Sequence, residues 1–328
     1  MNKKITILGT GSFGTALASI LAQNKISVLM YGIKTNEVDD INNLHLNRTY
    51  FDNFKLNNLI KATLNFREAM KFSENIIVCV PSLAIKNIID KINAFGLKKY
   101  NFLHTAKGMV LNYNLSASEM FLKFIKPEFL NSNSGIYGPS FANEIILKKP
   151  VFFTLCLNTN NIVLQWRKML ETNNVKIEIK RNFLVQEYFA IFKNPLAILS
   201  GFIFKQTNSK NFESIIISKG IQEIRLIIQY LLNKKEIKIS SILIGDAILT
   251  ATSRKSRNFN FGYNLVLNDN QLVINLQTKN TVEGLNTIKS LSKRIGSDFK
   301  KFKLFYFLYN LFFLNKKNDQ QYLNLLFS

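Results

Sequence analysis

The sequence predicts an α/β N-terminal domain followed by an all-α C-terminal domain, on three observations. Short apolar runs alternate with helical patterns through the first half of the chain, the signature of a parallel sheet with crossover helices. A glycine-rich turn joins the first apolar run to the first helix. Beyond about Asn182, long and largely apolar helical stretches replace the alternation. The boundary is set near Arg181, giving domains 1–181 and 182–328.

Taken in order, Lys4 to Leu8 reads as the first strand, and Thr15 to Gln23 as a helix whose Ala16, Ala18 and Ala22 permit close packing. Ser27 to Tyr31 is a second strand. Asn75 to Val80 is a buried one ending at Pro81, Leu83 to Ala94 a helix, and Asn101 to Thr105 a strand ending at Lys107-Gly108. Ser134 to Tyr137 and Val151 to Leu157 complete the sheet. In the second half, Phe183 to Phe204, Phe212 to Leu232, Ile239 to Thr250 and Thr281 to Arg294 read as helices, and Asn268 to Gln271 as a polar turn. No internal repeat is visible.

The turn after the first strand is Gly9-Thr10-Gly11-Ser12-Phe13-Gly14. Its position between strand and helix makes it a dinucleotide-binding fingerprint of the Rossmann type. Gly9 permits the tight turn, Gly11 lets backbone approach a pyrophosphate, and Gly14 lets helix and strand pack closely. Backbone N–H groups and the helix dipole then face the anion. A carboxylate about twenty positions on would hold the ribose hydroxyl of NAD. The second strand instead runs out through Tyr31-Gly32-Ile33-Lys34-Thr35-Asn36, with no carboxylate at the tip. Lys34 suits a 2′-phosphate, so the tip leans to NADPH over NADH; a solvated turn lysine is the equal alternative.

Bulk properties bound the remaining classes. The 328 residues, 47% of them hydrophobic, suffice for two globular domains. Cys79 and Cys156 lie far apart in strand-like runs and read as reduced core residues. The two histidines, His45 and His104, lack metal-ligand spacing, so no metal site is expected. Lys3 and Lys4 before an apolar run imitate a signal peptide, but the glycines at 9, 11 and 14 interrupt that run. A cytoplasmic protein is expected. The run Leu304 to Leu314 contains Asn310 and is about half the length needed to cross a bilayer, so no membrane span is expected. The net charge of +22 comes from lysines scattered along the chain rather than from a stripe, and no nucleic-acid partner is expected.

Two features of the second half carry chemistry. Lys193 has Phe189, Ala190, Leu196 and Ala197 at its helical neighbour positions. A lysine desolvated on such a face has a lowered pKa and suits proton transfer near neutral pH, whereas one that snorkels to the surface does not. Farther on, Gly245-Asp246, Thr250 and Ser256-Arg257-Asn258 gather a carboxylate, hydroxyls, a guanidinium and an amide. The planar fork of arginine matches two oxygens of a phosphate at once. A helix cap with a surface loop explains the same stretch.

These residues recur in a fixed order that resembles the bacterial NAD(P)-dependent glycerol-3-phosphate dehydrogenases over nearly the whole chain. The matching pieces are Gly9 to Ala18, Val80-Pro81-Ser82, Ala106-Lys107-Gly108, Gly138-Pro139-Ser140-Phe141-Ala142-Asn143-Glu144, Lys193-Asn194, Asp246, Ser256-Arg257-Asn258 and Val282-Glu283-Gly284. The resemblance implies reduction of dihydroxyacetone phosphate to sn-glycerol 3-phosphate, a phospholipid backbone, with NADPH or NADH. It implies Lys193 as acid or base on the substrate oxygen, with Asp246 orienting nearby groups. Lys107, Gly138, Ser140, Ser256, Arg257 and Asn258 would bind substrate. Gly9, Gly11, Ser12, Phe13, Gly14, Lys107, Ala142, Arg257, Thr281 and Glu283 would line the cofactor. It is also compatible with a homodimer.

The chain departs from the family after the catalytic lysine, where Leu199 to Ser209 keeps only Gly201 of a glycine-rich stretch and Pro195 directly follows Asn194. A proline inside a helix removes a donor and clashes with the preceding turn, which is expected to shift the geometry that aims Lys193. Two other readings stay open: a hydroxyacid dehydrogenase or ketopantoate reductase on the same plan, and a scaffold that binds dinucleotide or acidic partners without turnover.

Overall fold

The structure, a computed structural model, describes residues 3–157, 161–268, 271–273 and 282–314. It divides into two compact units, one comprising 1–106 with 117–186, the other 107–116 with 187–328.

In the first unit the chain runs β1 (Lys4–Leu8), α1 (Ser12–Gln23), β2 (Ser27–Tyr31), α2 (Thr35–Asp39), β3 (Ile60–Thr63), α3 (Phe66–Phe72), β4 (Asn75–Val78), α4 (Ile85–Phe95) and β5 (Tyr100–His104). It continues through α5 (Ala117–Phe124), β6 (Leu130–Tyr137), α6 (Ala142–Ile146), β7 (Val151–Leu157), α7 (Asn161–Leu170) and β8 (Val175–Lys180). The strands form one sheet in the order β3-β2-β1-β4-β5-β6-β7-β8, parallel except for the β6–β7 pair. The strand order reverses direction between β1 and β4, so the crevice at their carboxyl ends is the switch point where open α/β sheets take ligands.

The apolar pattern of each element explains its place. Ile5, Ile7 and Leu8 of β1 are buried, as befits a central strand covered on both faces. Helix α4 buries Ile85, Ile88, Ile89 and Ile92, the spacing of one helical face. At the amino ends of β4, β5 and β6 an asparagine ladder satisfies buried polar groups. Asn101 Nδ2 donates to Asn75 Oδ1 at 2.9 Å, and Asn101 Oδ1 accepts from Asn131 Nδ2 at 2.7 Å and Ser132 Oγ at 2.9 Å. Strands β3 and β8, which close the two edges, and helix α3 are additions to the elements read from the sequence. Both cysteines are free; burial pushes the Cys79 thiol up to about 11, away from reactivity.

The second unit takes α8 (Phe183–Thr207) from Glu187 onward, then α9 (Lys210–Leu232), α10 (Ser241–Thr252) and α11 (Arg257–Tyr263). A short antiparallel pair, β9 (Val266–Asn268) and β10 (Gln271–Val273), comes next, residues 269–270 of the polar turn read from the sequence lying outside the described residues, and α12 (Glu283–Ile295) and α13 (Lys303–Tyr309) follow. Helix α8 continues through Pro195 without interruption. Helices α8 and α11 pack backbone to backbone: a Cβ on Gly201 would lie 2.1 Å from the Phe259 carbonyl oxygen, and one on Gly262 1.9 Å from that of Ile198. Among the described residues, no helix is long and apolar enough to cross a membrane.

The segment 107–116 is fastened to the second unit by its own polar contacts. Asn194 Nδ2 donates to the Lys107 carbonyl at 2.7 Å, Ser116 Oγ donates to Glu187 Oε2 at 2.7 Å, and Arg294 donates to the Asn114 carbonyl at 3.2 Å.

Candidate active site

In the first unit the glycine turn sits at the carboxyl end of β1. Gly9 has φ +122°, and a Cβ there would lie 2.3 Å from the Cys79 carbonyl oxygen, so side chains are excluded by both conformation and space. A Cβ on Gly14 would lie 2.5 Å from the Gly9 carbonyl oxygen, which is the close helix–strand approach the fingerprint requires. A Cβ on Gly11 would meet nothing within 4 Å. Space is therefore open above the amino terminus of α1, which no side chain caps. Open space, N–H donors and a helix dipole fit a pyrophosphate. Ser12 and Phe13 open α1, and the Phe13 ring packs edge-on against Phe153 with centroids 6.4 Å apart.

Gly138, Ser140 and Ala142 lie together in the turn from β6 to α6, where Ser140 Oγ donates to the Gly138 carbonyl at 2.9 Å. Helix α6 packs against α1, which joins this turn to the glycine turn within the same unit.

Beyond β2 the structure holds a carboxylate that a search of the strand tip passes over. Glu37, on α2 and 3% exposed, accepts from Lys34 Nζ at 2.9 Å and Tyr50 OH at 3.2 Å through Oε1, and from Thr10 Oγ1 at 2.5 Å through Oε2. Its signal in the sequence is the three-residue spacing from Lys34.

In the second unit, Lys107, Lys193 and Asp246 converge. The Asp246 carboxylate, 4% exposed, bridges two lysines: Oδ1 lies 2.5 Å from Lys193 Nζ and Oδ2 accepts from Lys107 Nζ at 3.2 Å. Lys193 Nζ also donates to Thr250 Oγ1 at 2.8 Å, and that hydroxyl donates to the Asp246 carbonyl at 2.6 Å. Thr250 lies one turn after Asp246 on α10, a spacing that brings both to one helix face. Burial brings the Lys193 ammonium down to about 7, with Lys107 acting in the same direction and Asp246 opposing it. Lys193 is thus desolvated rather than snorkelling. Pro195 lies two residues past Lys193 within the unbroken helix α8.

Ser256, Arg257 and Asn258 open α11. Ser256 caps the helix, its Oγ accepting from the Phe259 N–H at 3.3 Å, and the Arg257 side chain is exposed. Asn258 Oδ1 accepts from the Gly284 N–H at 3.3 Å, which links the triplet to the start of α12. There Glu283 is half-buried, and desolvation raises its carboxyl pKa while Arg257, Lys107 and Lys193 pull it down. Of the residues named from sequence, Thr281 lies outside the described residues.

A sheet with this switch point, a glycine turn that opens a helix there, and a buried lysine paired with a carboxylate are features of a nicotinamide-dependent oxidoreductase of the two-domain type. Family models agree in detail: that of the NAD-dependent glycerol-3-phosphate dehydrogenase N-terminus matches residues 4–163, and that of the C-terminus matches residues 183–322. The chain belongs to the NAD-dependent glycerol-3-phosphate dehydrogenase family. It is 32% identical to the glycerol-3-phosphate dehydrogenase [NAD(P)+] of Mesoplasma florum over 96% of this chain and 95% of that one. It is 31% identical to the Staphylococcus epidermidis enzyme of the same name over 88% and 87%. In fold it matches the crystal structure of Coxiella burnetii glycerol-3-phosphate dehydrogenase with a TM-score of 0.86 at 21% identity, covering 100% and 99% of the two chains.

Proposed function

We propose that the protein reduces dihydroxyacetone phosphate to sn-glycerol 3-phosphate with NADH or NADPH, supplying the backbone for phospholipid synthesis. The observation that carries this reading is the buried Lys193, held by Asp246 beside Lys107, in a chain whose other unit bears the dinucleotide turn.

Residues 1–181 supply most of the dinucleotide contacts, and residues 182–328 most of the substrate and catalytic groups. Gly9, Gly11, Ser12, Phe13, Gly14 and Ala142 hold the cofactor, with Lys107, Arg257, Thr281 and Glu283 contributing from elsewhere in the chain. When bound, the reduced nicotinamide supplies a hydride for the carbonyl carbon. Lys193 in its ammonium form donates its proton to the carbonyl oxygen as negative charge develops there, and becomes the neutral amine. A pKa of about 7 suits it to give that proton in reduction and to take it back in oxidation. Asp246 fixes the ammonium in place and offsets part of its desolvation. Arg257, Ser256, Asn258 and Lys107 grip the phosphate, and with Gly138 and Ser140 they hold the carbonyl in register.

The direct test is oxidation of NADH and of NADPH by the purified protein with dihydroxyacetone phosphate. Turnover with that ketone, and not with 2-keto acids, supports the reading over a hydroxyacid dehydrogenase. Dinucleotide binding without turnover supports the scaffold reading instead. A homodimer in the cytoplasm completes the proposal; a monomeric mass by sedimentation removes the first part.

A further inference from the structure

Resting on the dinucleotide-binding reading above, we infer that Glu37 sets the cofactor preference and that the site takes NADH ahead of NADPH. The residue that argues for a 2′-phosphate is Lys34, at the tip of β2. In the structure its ammonium is paired: it lies 2.9 Å from Glu37 Oε1, the lysine side chain 54% exposed and the glutamate side chain 3%. Glu37 is itself fixed, with 3% exposure and three donors, Lys34 Nζ, Tyr50 OH and Thr10 Oγ1.

Thr10 makes this network part of the cofactor turn. It lies between Gly9 and Gly11 of the fingerprint, and a Cβ on Gly32, the first residue after β2, would lie 2.8 Å from Thr10 Cγ2. The tip of β2 and the glycine turn are therefore in direct contact, and Glu37 is bonded to both. This is where the adenosine ribose lies in folds of this type. Arg48, in the same β2–β3 connection, is likewise held, its Nη2 lying 2.6 Å from Asp40 Oδ1.

The Lys34–Glu37 pair carries no net charge. A ribose hydroxyl meets a neutral, hydrogen-bonding surface. A 2′-phosphate, bearing about 1.5 to 2 negative charges near neutral pH by analogy with other phosphomonoesters, meets a carboxylate that already holds the lysine it needs. Pulling Lys34 toward the phosphate leaves Glu37 buried without its cation.

The test is fluorescence titration of the whole protein with NADH and with NADPH, repeated on Glu37→Gln. The glutamine keeps the size and most of the hydrogen bonding while removing the charge. The wild type is expected to bind NADH more tightly. Glu37→Gln is expected to strengthen NADPH binding about tenfold while leaving NADH within about twofold, the scale of one charge acting across a few ångströms of partly solvated protein. Adding Lys34→Met to that variant is expected to cancel the gain. The wild-type ratio needs no variant to fold: NADPH binding as tight as NADH overturns the inference. So does a Glu37→Gln effect equal for both cofactors, which would mark a structural role. Binding of neither dinucleotide by folded wild-type protein overturns the proposed function itself, an outcome distinct from loss of preference.

Discussion

Lys193 Nζ lies 2.5 Å from Asp246 Oδ1, and each side chain is 4% exposed. Burial alone drives a lysine toward the neutral amine, and the neighbouring carboxylate alone would hold it charged. The balance, at about 7, leaves both forms populated near neutral pH.

Replacing Lys193 by alanine removes the proposed proton donor but none of the residues of the glycine turn. Turnover is expected to fall by about 10²–10⁴-fold, the usual worth of a positioned general acid. NADH affinity by fluorescence titration should stay within about twofold. A variant with near-normal turnover would remove Lys193 from the chemistry.

The pH dependence follows from the same group. Reduction needs the ammonium, so kcat/KM for dihydroxyacetone phosphate should be level below about 7 and fall about tenfold per pH unit above it. Oxidation of sn-glycerol 3-phosphate needs the amine and should show the opposite limb, rising to a plateau above about 7. Paired profiles in the two directions check the sign. Limbs that do not mirror each other assign the titration to another group.

Asp246→Asn removes a carboxylate that favours the protonated form of Lys193. The falling limb for reduction should move to lower pH, costing about tenfold in kcat/KM at neutral pH for each pKa unit of displacement. Stability should respond with a definite sign. Both proteins share the unfolded-state pKa of this lysine, so the stability the variant loses through Lys193 should be greatest well below pH 7 and fade to nothing as pH rises from about 5 to about 8. Urea unfolding across that range measures it.

Arg257→Lys keeps the charge and loses the planar fork. If Arg257 grips the substrate phosphate as proposed, KM for dihydroxyacetone phosphate should rise about tenfold to a hundredfold, with a smaller change in kcat, because that phosphate does not react. Steady-state kinetics at saturating cofactor separates the two. An unchanged KM would take Arg257 out of phosphate binding.

Gly262→Ala tests the crossing of α8 and α11. A Cβ at 1.9 Å from the Ile198 carbonyl oxygen forces the two helices apart. The expected cost is about 1–3 kcal/mol, read as a fall in Tm of about 3–10 °C. An unchanged Tm would show that the contact gives way freely.

What the sequence discloses depends on whether a signal is local. The β1–α1 turn is legible because strand, glycines and helix are contiguous, and Lys193 because a charged residue stands out on an apolar helix face. Strands β3 and β8 are not. Ile60–Thr63 has four residues with Lys61 exposed among them, and Val175–Lys180 alternates apolar with charged residues, as sheet edges do. Glu37 escapes a search for a carboxylate at the end of β2 because α2 folds back and returns it to Thr10 from beyond the tip. The bridging of Lys107 and Lys193 by Asp246 joins positions separated by more than fifty residues, a proximity that only the tertiary structure supplies.

The attachment of residues 107–116 to the second unit bears on how such a chain can be engineered or recombined. The polypeptide passes from one unit to the other after 106, again after 116 and finally after 186. A single splice near the middle, exchanging halves with a relative, would graft a foreign docking surface beneath Lys107 while leaving behind Ser116 and Asn114, whose partners Glu187 and Arg294 depart with the other half. The functional cassette is discontinuous, and a working chimera must take the excursion and its host from the same parent.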